Sequence, residues 1–248
     1  MNYIKHKYEI HSTKKPNLFI GSKIRGAFGY ALKSEVCINP TLQCEGCFAR
    51  EECLFYSFYE KKNQTHNYRL DYKLYSKKYK FSLFLFGDAR KGSDILHRAM
   101  LQSLQEYENI EHKINTKTIS LSGYSEKLRI KLLTPLRIKK RNRFATENIE
   151  LLDILLSIYR RELELKKIPY HKANFEMGYK DLFQNLNYVE LTRKSNRQEK
   201  TMHLGGLMGE IIVSGVSRDI YELLKLGEII GVGKSTVFGL GKIKVESM

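Results

Sequence analysis

The nine residues Lys78-Tyr-Lys-Phe-Ser-Leu-Phe-Leu-Phe86 decide the fold class. They are rich in aromatic and β-forming side chains and stop at Gly87-Asp88, which reads as a strand closed by a turn. Directly after them, Ser93 to Tyr107 sets Ile95, Leu96, Met100, Leu101 and Leu104 at helical spacing, which reads as an amphipathic helix. A strand followed at once by a helix that can cover it is half of an α+β unit. The other half lies upstream. Residues Tyr3 to Ile10 alternate as a strand, Pro16-Asn17 turns the chain, and Ser22 offers an N-cap for a helix to about Lys33. That helix would bury Ile24, Ala27, Phe28 and Ala31.

A second round begins near Ser125. Leu128 to Ile138 reads as a strand interrupted by Pro135, hence at an edge or a bulge. Ile149 to Leu165 reads as a long amphipathic helix, Tyr188 to Arg193 and Gly209 to Ser214 as strands, Ile220 to Lys225 as a short helix, and Leu240 to Val245 as a closing strand. The repeated order predicts an α+β protein of two tandem ferredoxin-like (RRM-like) domains with antiparallel sheets, residues 1–122 and 123–248. Residues 37–53 read as a cysteine-rich loop inserted in the first domain, and residues 227–241 as a glycine-rich loop in the second.

The charge balance points to a partner. Lys and Arg number 43 against 27 Asp and Glu, a formal net charge of +16 on 248 residues. Such a surplus favours an acidic polymer, and a phosphate backbone rewards each neutralised charge by releasing counterions. No apolar run is long enough to span a bilayer, and the N-terminus has no signal-peptide core, so the reading is a cytoplasmic protein with no membrane partner.

The segment Gly227 to Gly241 contains Gly233-Lys234-Ser235-Thr236. A nucleotide-binding P-loop needs a glycine five residues before Gly233, where this chain has Glu228, and it opens a long α/β domain that is missing here. A nucleoside triphosphate is therefore excluded as a partner. Two readings remain. The bare amides of Gly231, Gly233, Gly239 and Gly241, with Lys234, Ser235 and Thr236, can cradle a phosphate; or the glycines simply turn the chain. Basic residues elsewhere fit the first. Lys127, Arg129 and Lys131 share one strand face, and Arg193 and Arg197 have the neutral hydrogen-bonding groups Ser195 and Gln198 beside them.

Four features in order resemble the CRISPR precursor-RNA processing endoribonucleases of the repeat-associated RNA-binding superfamily. They are the glycine-rich C-terminal segment, the first-helix stretch Leu18 to Leu32 with Arg25-Gly26, the pair Arg193 to Gln198 and Leu204-Gly-Gly-Leu-Met-Gly209, and cysteines after the first helix. The resemblance implies tandem ferredoxin-like folds with a CRISPR repeat RNA, a stem-loop, lying across a basic face that includes Arg25. It implies metal-independent cleavage in which the ribose 2′-OH attacks the adjacent phosphate, leaving a 2′,3′-cyclic phosphate and a 5′-OH, with no cofactor for catalysis. It also implies contact with other CRISPR effector subunits.

Family members often carry a general-acid/base His after the first helix. This chain has no His between His11 and His66. Tyr30, Lys33, Tyr56 and His66 are the candidates to replace it, and the alternative is an RNA-binding subunit that does not cut. Cys37, Cys44, Cys47 and Cys53 include a Cys-x2-Cys core and could hold a structural zinc or an iron–sulfur cluster; reduced thiols in a loop are the other reading.

Overall fold

A computed structural model describes residues 1–12, 16–39, 43–120, 123–173, 179–195 and 200–248, with residues 181, 194, 195 and 200 described through their backbone alone. The chain divides into two compact units, Met1–Thr118 and Ile119–Met248.

In the first unit, strand β1 (Asn2–Ile10) leads to helix α1 (Gly21–Val36), β2 (Tyr68–Tyr72), β3 (Tyr79–Phe86), α2 (Ser93–Ser103) and β4 (Ile110–Thr118). The sheet runs β2-β3-β1-β4 with every pair antiparallel, which is the ferredoxin-like order. The alternation read in β1 is real: His6, Tyr8 and Ile10 are buried on one face. Helix α1 buries Ile24, Phe28 and Ala31 as its spacing predicts, with Leu32 buried in addition and Ala27 only half-buried, and it packs beside α2. Helix α2 stops at Ser103, short of the predicted Tyr107, and residues 104–106 form a turn.

Rings fill this interior. Tyr8 stacks on Phe81 with centroids 5.1 Å apart, and Phe58 stacks on Tyr68 at 4.3 Å. Three histidines join them. His6 (β1), His97 (α2) and His112 (β4) stack within a few ångströms, and His6 is 1% exposed. Burial, then the neighbouring His112 and His97, pushes the His6 imidazole down to about 4, so the ring is neutral near pH 7.

In the second unit, β5 (Leu128–Leu136) is followed by a short hairpin of β6 (Lys139–Lys140) and β7 (Arg143–Phe144), helix α3 (Leu151–Lys166) and β8 (Asp181–Val189). A second hairpin, β9 (Thr192–Ser195) and β10 (Lys200–His203), precedes β11 (Gly206–Ser214), α4 (Arg218–Ile230) and β12 (Ile243–Ser247). The sheet order, β12-β5-β11-β8, is again ferredoxin-like and antiparallel. Its core is aliphatic: Leu128, Ile130, Leu132, Ile154, Ile158, Ile211, Val213, Leu224 and Val245 are all buried.

One expectation is resolved here and another changes. Pro135, read as lying at an edge or a bulge, sits in a strand with a neighbour on each side, so the bulge is the reading that holds. The Pro is tolerated because the β11 register shifts between Leu207 and Gly209 and β12 pairing ends at Leu132. Helix α4 is also longer than the predicted Ile220–Lys225. It takes in Gly227, where a Cβ would come within 2.6 Å of Ile158 Cδ1, so this glycine is a helix-packing residue and not part of a loop.

Candidate nucleic-acid interface and cleavage residues

The glycine-rich segment closes the second unit by clasping its own backbone. After α4, Gly231 turns at φ +80° and its N–H donates to the Gly227 carbonyl at 2.9 Å. Val232 N–H donates to the Gly241 carbonyl at 2.9 Å, Lys234 N–H to the Arg137 carbonyl at 2.8 Å, and Gly241 N–H to the Pro135 carbonyl at 3.0 Å. Gly233 N–H reaches Ser157 Oγ on α3 at 2.8 Å, and Gly239 N–H the Thr236 carbonyl at 2.9 Å. These amides are directed at protein acceptors.

Sterics explain the residue type. Gly233 has φ +76° and its Cβ would lie 2.5 Å from the Arg137 carbonyl oxygen, while a Cβ at Gly241, φ +67°, would collide with the Val232 carbonyl oxygen. Between them Ser235 takes the left-handed conformation at φ +68° and Thr236–Phe238 makes one 3₁₀ turn. Thr236 is buried and Ser235 half-buried; Lys234 projects into solvent.

The clasp brings distant basic residues together. The Arg193 guanidinium lies 4.7 Å from the centre of the Phe238 ring, so the β9–β10 hairpin rests on the 3₁₀ turn. Arg137, buried, donates to the Gly205 carbonyl at 2.5 Å and stacks 4.1 Å over Phe144. Gly205 and Gly206 are needed for this approach, since a Cβ on Gly205 would strike the Tyr188 hydroxyl and one on Gly206 would sit 2.6 Å from the Leu136 carbonyl. Burial lowers the Arg137 pKa, which nearby Tyr188 and Glu190 partly offset. Beside it the β6–β7 hairpin turns through Arg141 and Asn142, both at positive φ (48° and 66°), a turn that matches strand twist and lifts Arg141 outward. Ser195 belongs to β9, and Arg197 and Gln198 lie outside the described residues.

On β5 the strand alternation does place Arg129 and Lys131 on the face opposite the buried Leu128, Ile130 and Leu132, while Lys127 is exposed just before the strand begins. Two of the three are matched by acids from neighbouring strands: Lys131 meets Glu246 at 2.8 Å and Arg129 meets Glu210 at 3.6 Å. Such half-exposed pairs are weak and open to competition by phosphate.

In the first unit Arg25 is held among rings. Its Nε donates to the Tyr68 hydroxyl at 3.1 Å, its guanidinium lies 4.4 Å over the Tyr59 ring, and the Tyr59 hydroxyl donates to the Arg25 carbonyl at 2.7 Å. Gly29, one turn on, has no Cβ to meet the Tyr59 ring at 2.7 Å, which is why the ring can lie against the helix. Burial raises the Tyr59 and Tyr68 hydroxyl pKa values, so both stay protonated and neither is a base near neutral pH.

The four candidate acid–base residues have different surroundings. Tyr30 is 73% exposed. Lys33 lies 5.8 Å over Phe55, Tyr56 starts a π-helical turn (Tyr56–Glu60) with Arg50 6.0 Å from its ring, and His66 tilts against Tyr68 at 5.8 Å. Lys33 also sits at the cysteine loop, where it partly offsets the rise that burial, Glu60 and Cys53 impose on the Cys44 thiol. Cys37, Cys44, Cys47 and Cys53 are half-buried free thiols. Among the described residues, no three of their sulfurs approach within 4.8 Å of one another; the histidine cluster does meet that spacing. The geometry therefore gives the cysteine metal site no ligand set.

Residues 130–243 match the family model described as CRISPR-associated endoribonuclease Cas6, and residues 3–121 match a model described as an N-terminal domain. The second unit is thus similar in sequence to the Cas6 endoribonucleases. The Cas6 match begins within β5 and ends at the first residue of β12, so it encloses both hairpins and the glycine clasp. Solved Cas6 structures share the fold along the full length. A Cas6 product complex superposes with TM-score 0.62 at 17% identity over 99% of each chain. Thermus thermophilus Cas6 gives 0.58 at 15%, over 99% of this chain and 98% of that one, and another Cas6 product complex 0.56 at 13% over all of both. No curated protein sequence matches the chain significantly. Among the described residues no helix is long and apolar enough to cross a membrane.

Proposed function

We propose that this protein binds CRISPR repeat RNA and cuts precursor CRISPR RNA within it. The observation that carries the reading is the meeting of Arg193, Lys234 and the Arg141 hairpin around the glycine clasp, inside the region that matches the Cas6 model. In this reading the exposed cations take the phosphates, together with Ser195 of β9 and with Arg197 and Gln198, which follow it in sequence. Lys127 extends the track along the sheet, and so do Arg129 and Lys131 by exchanging carboxylates for phosphates. The glycines fix the shape of the platform.

The proposed reaction is transesterification. The 2′-OH attacks its own 3′-phosphate, the 5′-oxygen of the next nucleotide leaves with a proton, and the products are a 2′,3′-cyclic phosphate and a 5′-OH. The nucleophile is part of RNA, so the enzyme needs only to align it in line, move protons and stabilise the charged phosphorane. Lys33 is our candidate for the phosphorane and the leaving oxygen, because its ammonium is cationic and sits half-exposed near the end of α1. Tyr30, Tyr56 and His66 are the further candidates for proton transfer, and Arg25, fixed by Tyr59 and Tyr68, is a positioning cation.

The test is cleavage of repeat RNA in EDTA, with and without a 2′-deoxy substitution at the scissile nucleotide. Cutting of the native RNA, with no cutting of the deoxy analogue, is expected. Cutting that survives the substitution would remove the proposed chemistry, and tight binding with no cutting would make the protein a non-catalytic RNA-binding subunit.

A further inference from the structure

The histidine cluster of the first unit is not needed for RNA chemistry as proposed, and it has the makings of a ligand set. One ring nitrogen from each of His6, His97 and His112 lies within 4.8 Å of one from each of the others. They come from three different elements, β1, α2 and β4, and the fold brings them together: β4 pairs with β1 so that His112 sits opposite Tyr8, and α2 lays His97 over both. His6 Nδ1 is 3.0 Å from His112 Nε2. Three imidazole nitrogens around one tetrahedral zinc at ordinary bond lengths stand ~3.3 Å apart, so a small rotation of the rings closes the set.

The outer hydrogen bonds are those a ligating histidine uses. His6 Nε2 is 2.9 Å from Ser93 Oγ, so an Nε2–H donated to that hydroxyl leaves Nδ1 bare and aimed at the cluster. The Tyr8 hydroxyl is 3.0 Å from His97 Nδ1 and fixes that ring. His6 is buried, while His97 and His112 are half-exposed, which gives an ion a route in and leaves a fourth position open to water. An all-imidazole set suits zinc, copper(II), nickel or cobalt and disfavours magnesium and calcium, which take oxygen ligands.

We infer that His6, His97 and His112 form a binding site for one divalent transition-metal ion, pinning edge strand β4 to β1 and α2. The role is structural, since an ion here would staple three elements of the first unit. It is separate from the cysteine loop in residues and in chemistry.

The experiment is a titration of the full chain with zinc chloride, and with cobalt(II) chloride, after EDTA treatment and dialysis. It is run on a variant with Cys37, Cys44, Cys47 and Cys53 all changed to Ser, so that thiols cannot bind. One equivalent is expected, with a cobalt visible spectrum typical of nitrogen and oxygen ligands and no thiolate charge-transfer band. His97→Ala and His112→Ala, both at half-exposed positions, should each weaken zinc binding by at least about tenfold. Zinc should raise the melting temperature of the cysteine-free chain and leave that of the His112→Ala version unmoved. No binding by the cysteine-free chain, or binding that both histidine variants retain, would overturn the site. If His97→Ala fails to fold, the His112→Ala titration decides alone.

Discussion

The two units share one topology and fill it in opposite ways. Between sheet and helices, the first packs Tyr8, Phe28, Phe58, Tyr68, Phe81 and His6, with the half-exposed His97 and His112 beside them, where the second packs Leu, Ile and Val with Tyr221 as the buried aromatic hydrophobe among its described residues. Rings carry polar atoms into a core, so the first unit holds its shape partly by hydrogen bonds among hydroxyls, imidazoles and Arg25. Aliphatic chains offer no such handles. The second unit obtains its specific closure from backbone amides and glycines, and apart from the buried Arg137 and Arg161 its basic groups stand at the rim. Two cores with the same sheet order can thus put chemistry in different places: inside the packing in one, on a rigid platform in the other.

The sharpest way to break this contrast is Gly241→Ala. The new Cβ meets the Val232 carbonyl at a φ of +67°, so strain and overpacking together should cost about 3–5 kcal/mol. Chemical denaturation followed by probes in each half should show the second unit lost and the first retained. A variant as stable as the parent would mean that the clasp is not a backbone lock.

Tyr68→Phe attacks the other device. It removes the acceptor for Arg25 Nε in a buried ring cluster, and about 1–2 kcal/mol of stability should go with it. If the loss is no larger than for an exposed Tyr30→Phe, the polar ring atoms contribute nothing.

Arg193→Ala and Lys234→Ala test whether the rim does the binding. Each should weaken repeat-RNA affinity by a few-fold to about tenfold and reduce the slope of log K against log salt by about 1. Filter binding at several salt concentrations reads both, and unchanged slopes would remove these side chains from the interface. The smallest change is Gly26→Ala. Nothing lies within 4 Å of its Cβ on the exposed side of α1, so a gain of about 0.5–1 kcal/mol is expected from helix propensity. A loss would show that the Arg25-Gly26 step needs its glycine for packing.

Much of the fold could be read from the residues because periodicity survives wherever one face is buried. Helices α1 and α3 and strands β1, β3 and β5 all lie close to their predicted positions. Strand β4 could not be read: Ile110 to Thr118 is an edge with no fully buried position, so Ile-Glu-His-Lys-Ile-Asn-Thr-Lys-Thr shows almost no apolar alternation. Strand β2 was hidden by Arg69, a charged residue that is buried against Phe84. The glycine segment was recognisable as a family feature, but the work of each glycine was not. The carbonyls that take its amides belong to Pro135 and Arg137, on a strand far away in sequence, and Gly227 looked like a loop until Ile158 was placed against it. The histidine cluster was equally invisible, since His6, His97 and His112 meet only through sheet pairing and helix docking.

Strand β5 lies between β11 and β12, and both are synthesised long after it. On the ribosome β5 must therefore wait with both edges unpaired, an open template for neighbouring nascent chains. The clasp of Gly231 to Gly241 is what finally delivers β12 to that waiting edge. Stalled or prematurely terminated copies lacking β12 would expose the β5 edge, so protection by chaperones during synthesis, and rapid proteolysis of truncated products, follow from the strand order alone.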